Sequence, residues 1–144
     1  RDWWTAADAK AYQERTTKLG AEYDAINPID DLHINGKLTM GENIGDLSGL
    51  AQAYRAYRIS LHGKEAPVID GLTGDQRFFI GFAQIWRGKI RDDALRQQLL
   101  TNPHSPGDYR AMVPLINNDV FERTFDVKPG DKMYLAPADR VKIW

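Results

Sequence analysis

Apolar residues recur along this chain at three- and four-residue steps rather than in strict alternation, a spacing that predicts helices. The clearest run starts near Gly41. From there Leu47, Leu50, Ala51, Tyr54, Tyr57 and Leu61 share one face of a helix expected to end at about Leu61. Ahead of it, residues 5–26 are rich in the helix formers Ala, Glu, Lys and Gln, and Thr5 and Asp8 are spaced as a capping pair, so this stretch also reads as a helix. Pro28, Asp30, Asp31 and Asn35-Gly36 break the periodicity between the two, which makes residues 27–40 a loop or a short hairpin. Asn-Gly favours a tight turn that tolerates positive φ. Gly63, Pro67, Gly71 and Gly74 mark the next connection, after which Thr73 and Gln76 have the spacing of a capping box for a helix through Trp86. Residues 90–100 read as a further helix, ended by Asn102-Pro103. Residues 102–108 hold two prolines and a glycine and are expected to be irregular. A short extended segment is expected from Arg110 to Ile116, then a helix capped by Asn118 and running through Phe125, then a tail punctuated by Pro and Gly. The fold class that follows is mainly α with long loops and little strand.

Composition narrows what such a domain can do. A length of 144 residues, 42% of them hydrophobic, suits one domain with a modest core. Nineteen Lys plus Arg against twenty Asp plus Glu leave a net charge of -1, so the broad cationic field of a nucleic-acid binder is missing and no nucleic-acid partner is expected. Zero cysteines exclude disulfides, iron–sulfur clusters and a thiol nucleophile, and leave His, Asp and Glu as the metal ligands. The longest run of small or apolar residues, Phe78 to Ala83, is far short of the about 20 needed to span a bilayer. The chain opens Arg1-Asp2-Trp3-Trp4, with neither an initiator Met nor a signal-peptide pattern, and is expected to be a piece of a longer protein.

Several residues could carry chemistry. Glu42 and Asp46 are spaced i, i+4 in the first turns of a helix, so both side chains point to one spot. Acidic residues there complement the helix dipole; alternatively Glu42 ligates a cation and Asp46 supports a neighbouring ligand. His104, in Pro-His-Ser-Pro, stands six residues before Arg110, and together they suit an anionic or carbonyl target, although either could be an ordinary surface residue. His33 and His62 lack ligand spacing and are read as loop residues without a special role. Phe78, Phe79, Phe82, Ile85 and Trp86 form a stripe that suits core packing, with one end able to line an apolar pocket; Trp3 and Trp4 also suit core packing.

Taken in order, these segments resemble the C-terminal portion of the neprilysin-like zinc metallopeptidases, a family of gluzincins, over the whole length of the chain. The resemblance is carried by Asp2-Trp3-Trp4-Thr5 and by Ile34-Asn35-Gly36-Lys37-Leu38-Thr39-Met40 leading into Gly41-Glu42-Asn43-Ile44-Gly45-Asp46. It continues through Leu72-Thr73-Gly74-Asp75-Gln76-Arg77-Phe78-Phe79, Phe82-Ala83-Gln84-Ile85-Trp86, His104-Ser105-Pro106-Gly107-Asp108-Tyr109-Arg110 and the ending from Met133 to Trp144. It implies that Glu42 is the third protein ligand of a catalytic zinc and that Asp46 orients a zinc-bound histidine. It further implies that His104 donates to the oxyanion of the tetrahedral intermediate and that Arg110 holds a substrate carbonyl. Ile85 and Trp86 match positions lining the pocket for a bulky apolar residue after the cleaved bond.

The family's His-Glu-x-x-His motif, which supplies two zinc ligands and the general base, does not occur in these residues. The expectation is therefore a single C-terminal piece of a zinc endopeptidase that binds zinc weakly or not at all and hydrolyses nothing alone. Its partners would be peptide substrates and the missing N-terminal part of its own chain, with self-association through apolar surface otherwise internal. A noncatalytic peptide-binding or structural module with the same fold is the competing reading. Animal members of the family carry cysteines where Arg87, Val127 and Val141 stand here, which points to a bacterial relative without those bridges. The resemblance also implies an extracytoplasmic parent protein.

Overall fold

A computed structural model describes residues 3–143, so Asp2 and Trp144 of the motif segments lie outside the described residues. The chain forms helices α1 (Ala6–Asp24), α2 (Met40–Ser60), α3 (Gly74–Ile85), α4 (Asp92–Thr101), α5 (Gly107–Ile116) and α6 (Asp119–Phe125), followed by a 3-10 turn at Pro137–Asp139. Among the described residues there is no strand; extended pairing is limited to isolated antiparallel bridges at Ile29–Leu32 and Ile69–Leu72. None of the described helices is long and apolar enough to cross a membrane.

The helix starts follow the capping chemistry of the sequence. Thr5 Oγ1 accepts the Asp8 N–H at the head of α1, and Thr73 and Gln76 form a reciprocal capping box at α3. The Asn118 side chain accepts from Val120 and Phe121 at α6. Two expectations are corrected. The stretch from Arg110 to Ile116 is helical, not extended: Pro106 sits at the N-cap, Gly107 and Asp108 already belong to the first turn, and Pro114 lies inside the helix. Proline there withholds a hydrogen bond only from the Arg110 carbonyl, in a helix that ends two residues later. The Asn35-Gly36 turn, second, does not need positive φ; the left-handed residue in this loop is Asp30, at φ 49°, inside the Ile29–Leu32 bridge. Gly36 is required for closeness instead, since a Cβ there would lie 2.4 Å from the Gly20 carbonyl oxygen of α1.

The long helix α2 is central, with most of its packing against α5 and then α1. On one side, Leu47 joins Leu19 and Tyr23 of α1, Ile34, Leu99 of α4, Val113 of α5 and the tail residues Val141 and Ile143. On the other, Leu50 packs with Phe79 and Leu115, flanked by Phe78, Phe82 and Phe121, so this part of the aromatic stripe is core. Trp3 and Trp4, in contrast, are exposed. Asn117 fastens the tail: its Nδ2 donates to Glu22 Oε2 at 2.7 Å, and its Oδ1 accepts the Val141 N–H at 2.6 Å. The result holds the N-terminal turns of α2 and α5 side by side.

Candidate active site

Glu42 and Asp46 lie one turn apart at the head of α2, and Arg110, on the first turns of α5, spans both. Its Nε donates to Asp46 Oδ2 at 2.6 Å and its Nη2 to Asp46 Oδ1 at 2.8 Å, a two-pronged pair that fixes the plane of the guanidinium. The same Nη2 reaches Glu42 Oε2 at 3.0 Å. The guanidinium also lies over the Trp86 ring, 4.2 Å from its centroid. Trp86 is the C-cap of α3, and Gly107 lets the start of α5 pass close to it, because a Cβ at Gly107 would stand 3.2 Å from the Trp86 carbonyl oxygen.

Burial divides the labour within this cluster. Asp46 and Arg110 have side chains only 11% and 14% exposed, whereas Glu42 is 42% exposed. The buried pair forms a floor, and Glu42 stands at its edge within reach of a further partner. The Asp46 bonds hold Arg110 above its ordinary pKa, assisted by the charges of Asp46 and Glu42 and opposed by burial. Arg110 is thus a permanent cation. Tyr23, fully buried in the core, is raised mainly by burial and then by the negative charge of Asp46 and Glu22, so its phenol stays neutral.

His104 faces the outer carboxylate, with Nε2 3.5 Å from Glu42 Oε2. Its ring is oriented by Asn102: the carboxamide oxygen accepts the His104 backbone N–H at 2.9 Å and lies 2.8 Å from Nδ1. A backbone N–H can only donate, so the shared atom is an acceptor and Nδ1 carries its hydrogen. That leaves Nε2 as the ring atom turned to the cluster. The next residue is anchored from beneath, as Ser105 Oγ donates to Asn43 Oδ1 at 2.8 Å. Asn43 Nδ2 in turn donates to Thr39 Oγ1 at 2.8 Å, and Thr39 Oγ1 to the Asn35 carbonyl at 2.9 Å.

Glu42, Asp46, His104, Arg110 and Trp86 therefore come together from three separated segments. Ile85 does not join them: it is the last residue of α3 and 73% exposed. Trp86 also borders an open cleft of about 420 Å³ with Pro28, Ile90, Leu95, Gln98 and Tyr109, a mixed apolar and polar wall. The sequence reading missed Asn43, Asn102 and Ser105. The available signal was their position, each adjacent to or two residues from a candidate site residue.

A catalytic zinc of the gluzincin type needs three protein ligands and one open position. Among the described residues no group of three His, Asp or Glu side chains converges as a metal site. Glu42 offers one carboxylate, and its Oε2 is already engaged by Arg110. The residues present do not fit zinc by themselves.

Comparison with known proteins defines the class as the zinc metallopeptidases. The whole chain superposes on 23% of an inhibitor-bound zinc metalloprotease, ZMP1 of Mycobacterium tuberculosis, with a TM-score of 0.97 and 46% identity. It also superposes on 21% of PEPO from Lactobacillus rhamnosis, with a TM-score of 0.82 and 30% identity. Residues 1–141 match the model of Peptidase family M13, and the chain belongs to that family. Among curated relatives it is 39% identical to Neprilysin-1 of Caenorhabditis elegans, over 100% of this chain and 20% of that protein. It is 34% identical to endothelin-converting enzyme 1 of Cavia porcellus, over 100% of this chain and 19% of that protein. The chain thus spans about a fifth of the length of these relatives.

Proposed function

We propose that this chain is the C-terminal part of a zinc metalloendopeptidase that cleaves peptide bonds on the amino side of apolar residues, and that it forms one wall of the active site. The observation that carries this reading is the convergence of Glu42, Asp46, His104 and Arg110, residues up to 68 positions apart, on one partly exposed spot. In the parent protein Glu42 is one zinc ligand and an upstream His-Glu-x-x-His supplies the others. Its exposure lets the carboxylate turn outward while Asp46 keeps Arg110 in place. Zinc, when bound, supplies a Lewis acid for peptide hydrolysis.

The remaining roles follow from hydrogen-bonding capacity. Arg110 spends Nε and Nη2 on the two carboxylates; Nη1 takes no part in those bonds, and its N–H groups are assigned to a substrate backbone carbonyl. Each Asp46 oxygen keeps a second lone pair, enough to accept from an upstream zinc-bound histidine while holding Arg110. His104 Nε2 is assigned to the oxyanion of the tetrahedral intermediate, where a fixed donor gains most. Trp86 and Ile85 border the pocket for the apolar residue, Ile85 completing it against upstream residues. An extracytoplasmic parent and packing of this chain against its upstream part, or against a second copy, belong to the same reading.

The test is hydrolysis of internally quenched peptides that differ only in the residue after the scissile bond. The parent protein is expected to prefer Phe or Leu there over Asp by at least tenfold in kcat/KM and to lose activity to a chelator. This chain alone, with zinc added, is expected to be inactive. Chelator-sensitive cleavage by the chain alone, or no apolar preference in the parent, contradicts the reading.

A further inference from the structure

We propose that Ser105 and Asn43 are a positioning pair that sets His104 in register with Glu42. The inference rests on the function proposed above and adds two residues that neither the motif resemblance nor the comparisons assign a role. Both are buried, Asn43 fully and Ser105 to within 1%. A hydroxyl and a carboxamide out of water destabilise a fold unless they are bonded, and here both are. Ser105 Oγ donates to Asn43 Oδ1, Asn43 Nδ2 to Thr39 Oγ1, and Thr39 Oγ1 to the Asn35 carbonyl, each bond 2.8 to 2.9 Å long. The Ser105–Asn43 bond crosses 62 positions of sequence, and its two residues are the immediate neighbours of the site residues His104 and Glu42.

That adjacency gives the relay a function. Consecutive Cα atoms are held about 3.8 Å apart, so fixing residue 105 against residue 43 fixes residue 104 against residue 42 to within one peptide unit. The other bonds that restrain His104 do not do this. Asn102 holds the ring and backbone N–H from within the same loop, and the Gln98 side chain donates to the His104 carbonyl from exposed α4 at 3.2 Å. Among the described residues, only the Ser105–Asn43 bond joins the loop of His104 directly to the helix of Glu42 through buried atoms. A group that must meet a developing charge loses up to about a hundredfold in rate for a displacement of about 1 Å.

The experiment uses the zinc-loaded parent protein with Ser105→Ala, and with Ser105→Cys, which preserves volume should the alanine variant fail to fold. Zinc content, KM, kcat and hydrogen exchange of residues 102–106 are read on the same preparations. Expected are a roughly tenfold fall in kcat, KM and zinc content within about twofold of the parent, and faster exchange confined to the loop. Expected too is near-complete loss of that kcat effect when Ser105→Ala is added to His104→Ala. An undiminished further loss in the His104→Ala background, unchanged kcat, or unchanged loop exchange in the folded variant overturns the pair's role. A parent without zinc-dependent hydrolysis overturns the functional reading instead; the exchange measurement then still decides whether Ser105 fixes the loop.

Discussion

At the scale of single residues, the site is organised around the Arg110 guanidinium. A lysine could supply its charge but not two parallel N–H donors to Asp46 with a third contact to Glu42. Arg110→Ala in the parent protein is expected to lower kcat/KM by at least tenfold with zinc content unchanged, and Arg110→Lys to recover less than half of that loss on a logarithmic scale. Steady-state kinetics beside metal analysis check both, and loss of zinc would show that Arg110 serves the metal site instead. The charged and polarisable members of the cluster were legible in the sequence, because an i, i+4 carboxylate pair and a Pro-flanked histidine have recognisable spacing. Asn43, Asn102 and Ser105 were not. Nothing in a one-letter amide or hydroxyl records whether it will be buried, and their importance comes entirely from bonds made across the fold.

A second residue-scale prediction concerns pH. Glu22 Oε2 accepts from Asn117, but Oε1 is buried without a partner among the described residues, and burial raises its pKa above the ordinary 4.5. The Asn117 bond and the charge of Lys18 offset this only in part. A raised folded-state pKa means stability present below the unfolded value and lost as pH rises through the folded one. Glu22→Gln, which cannot ionise, is therefore expected to raise the melting temperature relative to the unsubstituted chain at pH 7 and to change it little at pH 4. An equal difference at both pH values would contradict this.

At the scale of elements, helix starts were more legible than the element type of short apolar segments. Thr5, Thr73 and Asn118 announce their helices because a cap is local chemistry, complete within four residues. Helix α5 was hidden by the stretch of residues 102–108, whose prolines read as a break although Pro106 lies at the N-cap. Its helicity is decided by packing against α2, which no local pattern reports. Thr73→Ala is expected to lower stability by about 1 kcal/mol, since it removes one side of the capping box, and thermal unfolding will show it. Gly36→Ala is expected to be more severe, about 2 kcal/mol or more, because its methyl group would meet the Gly20 carbonyl. An alanine variant as stable as the parent sequence would mean that the loop over α1 yields freely.

At the scale of the whole molecule, the site is open on the side where Glu42 and His104 emerge, while Trp3 and Ile85 leave large apolar surfaces in water. This suits a chain that spans about a fifth of the length of its relatives. Sedimentation velocity of the isolated chain is expected to show concentration-dependent association, and strictly monomeric behaviour at high concentration would argue that the exposed residues cover nothing. The mainly helical class was legible because it rests on periodicity summed over many residues. No combination of the three histidines has the spacing of a His-Glu-x-x-His motif. The central claim, that Glu42 contributes to a zinc centre assembled with residues outside this chain, is tested most directly by metal analysis of the parent protein carrying Glu42→Gln. The expected result is loss of most bound zinc together with peptidase activity in a protein that still folds; stoichiometric zinc with undiminished turnover would contradict it.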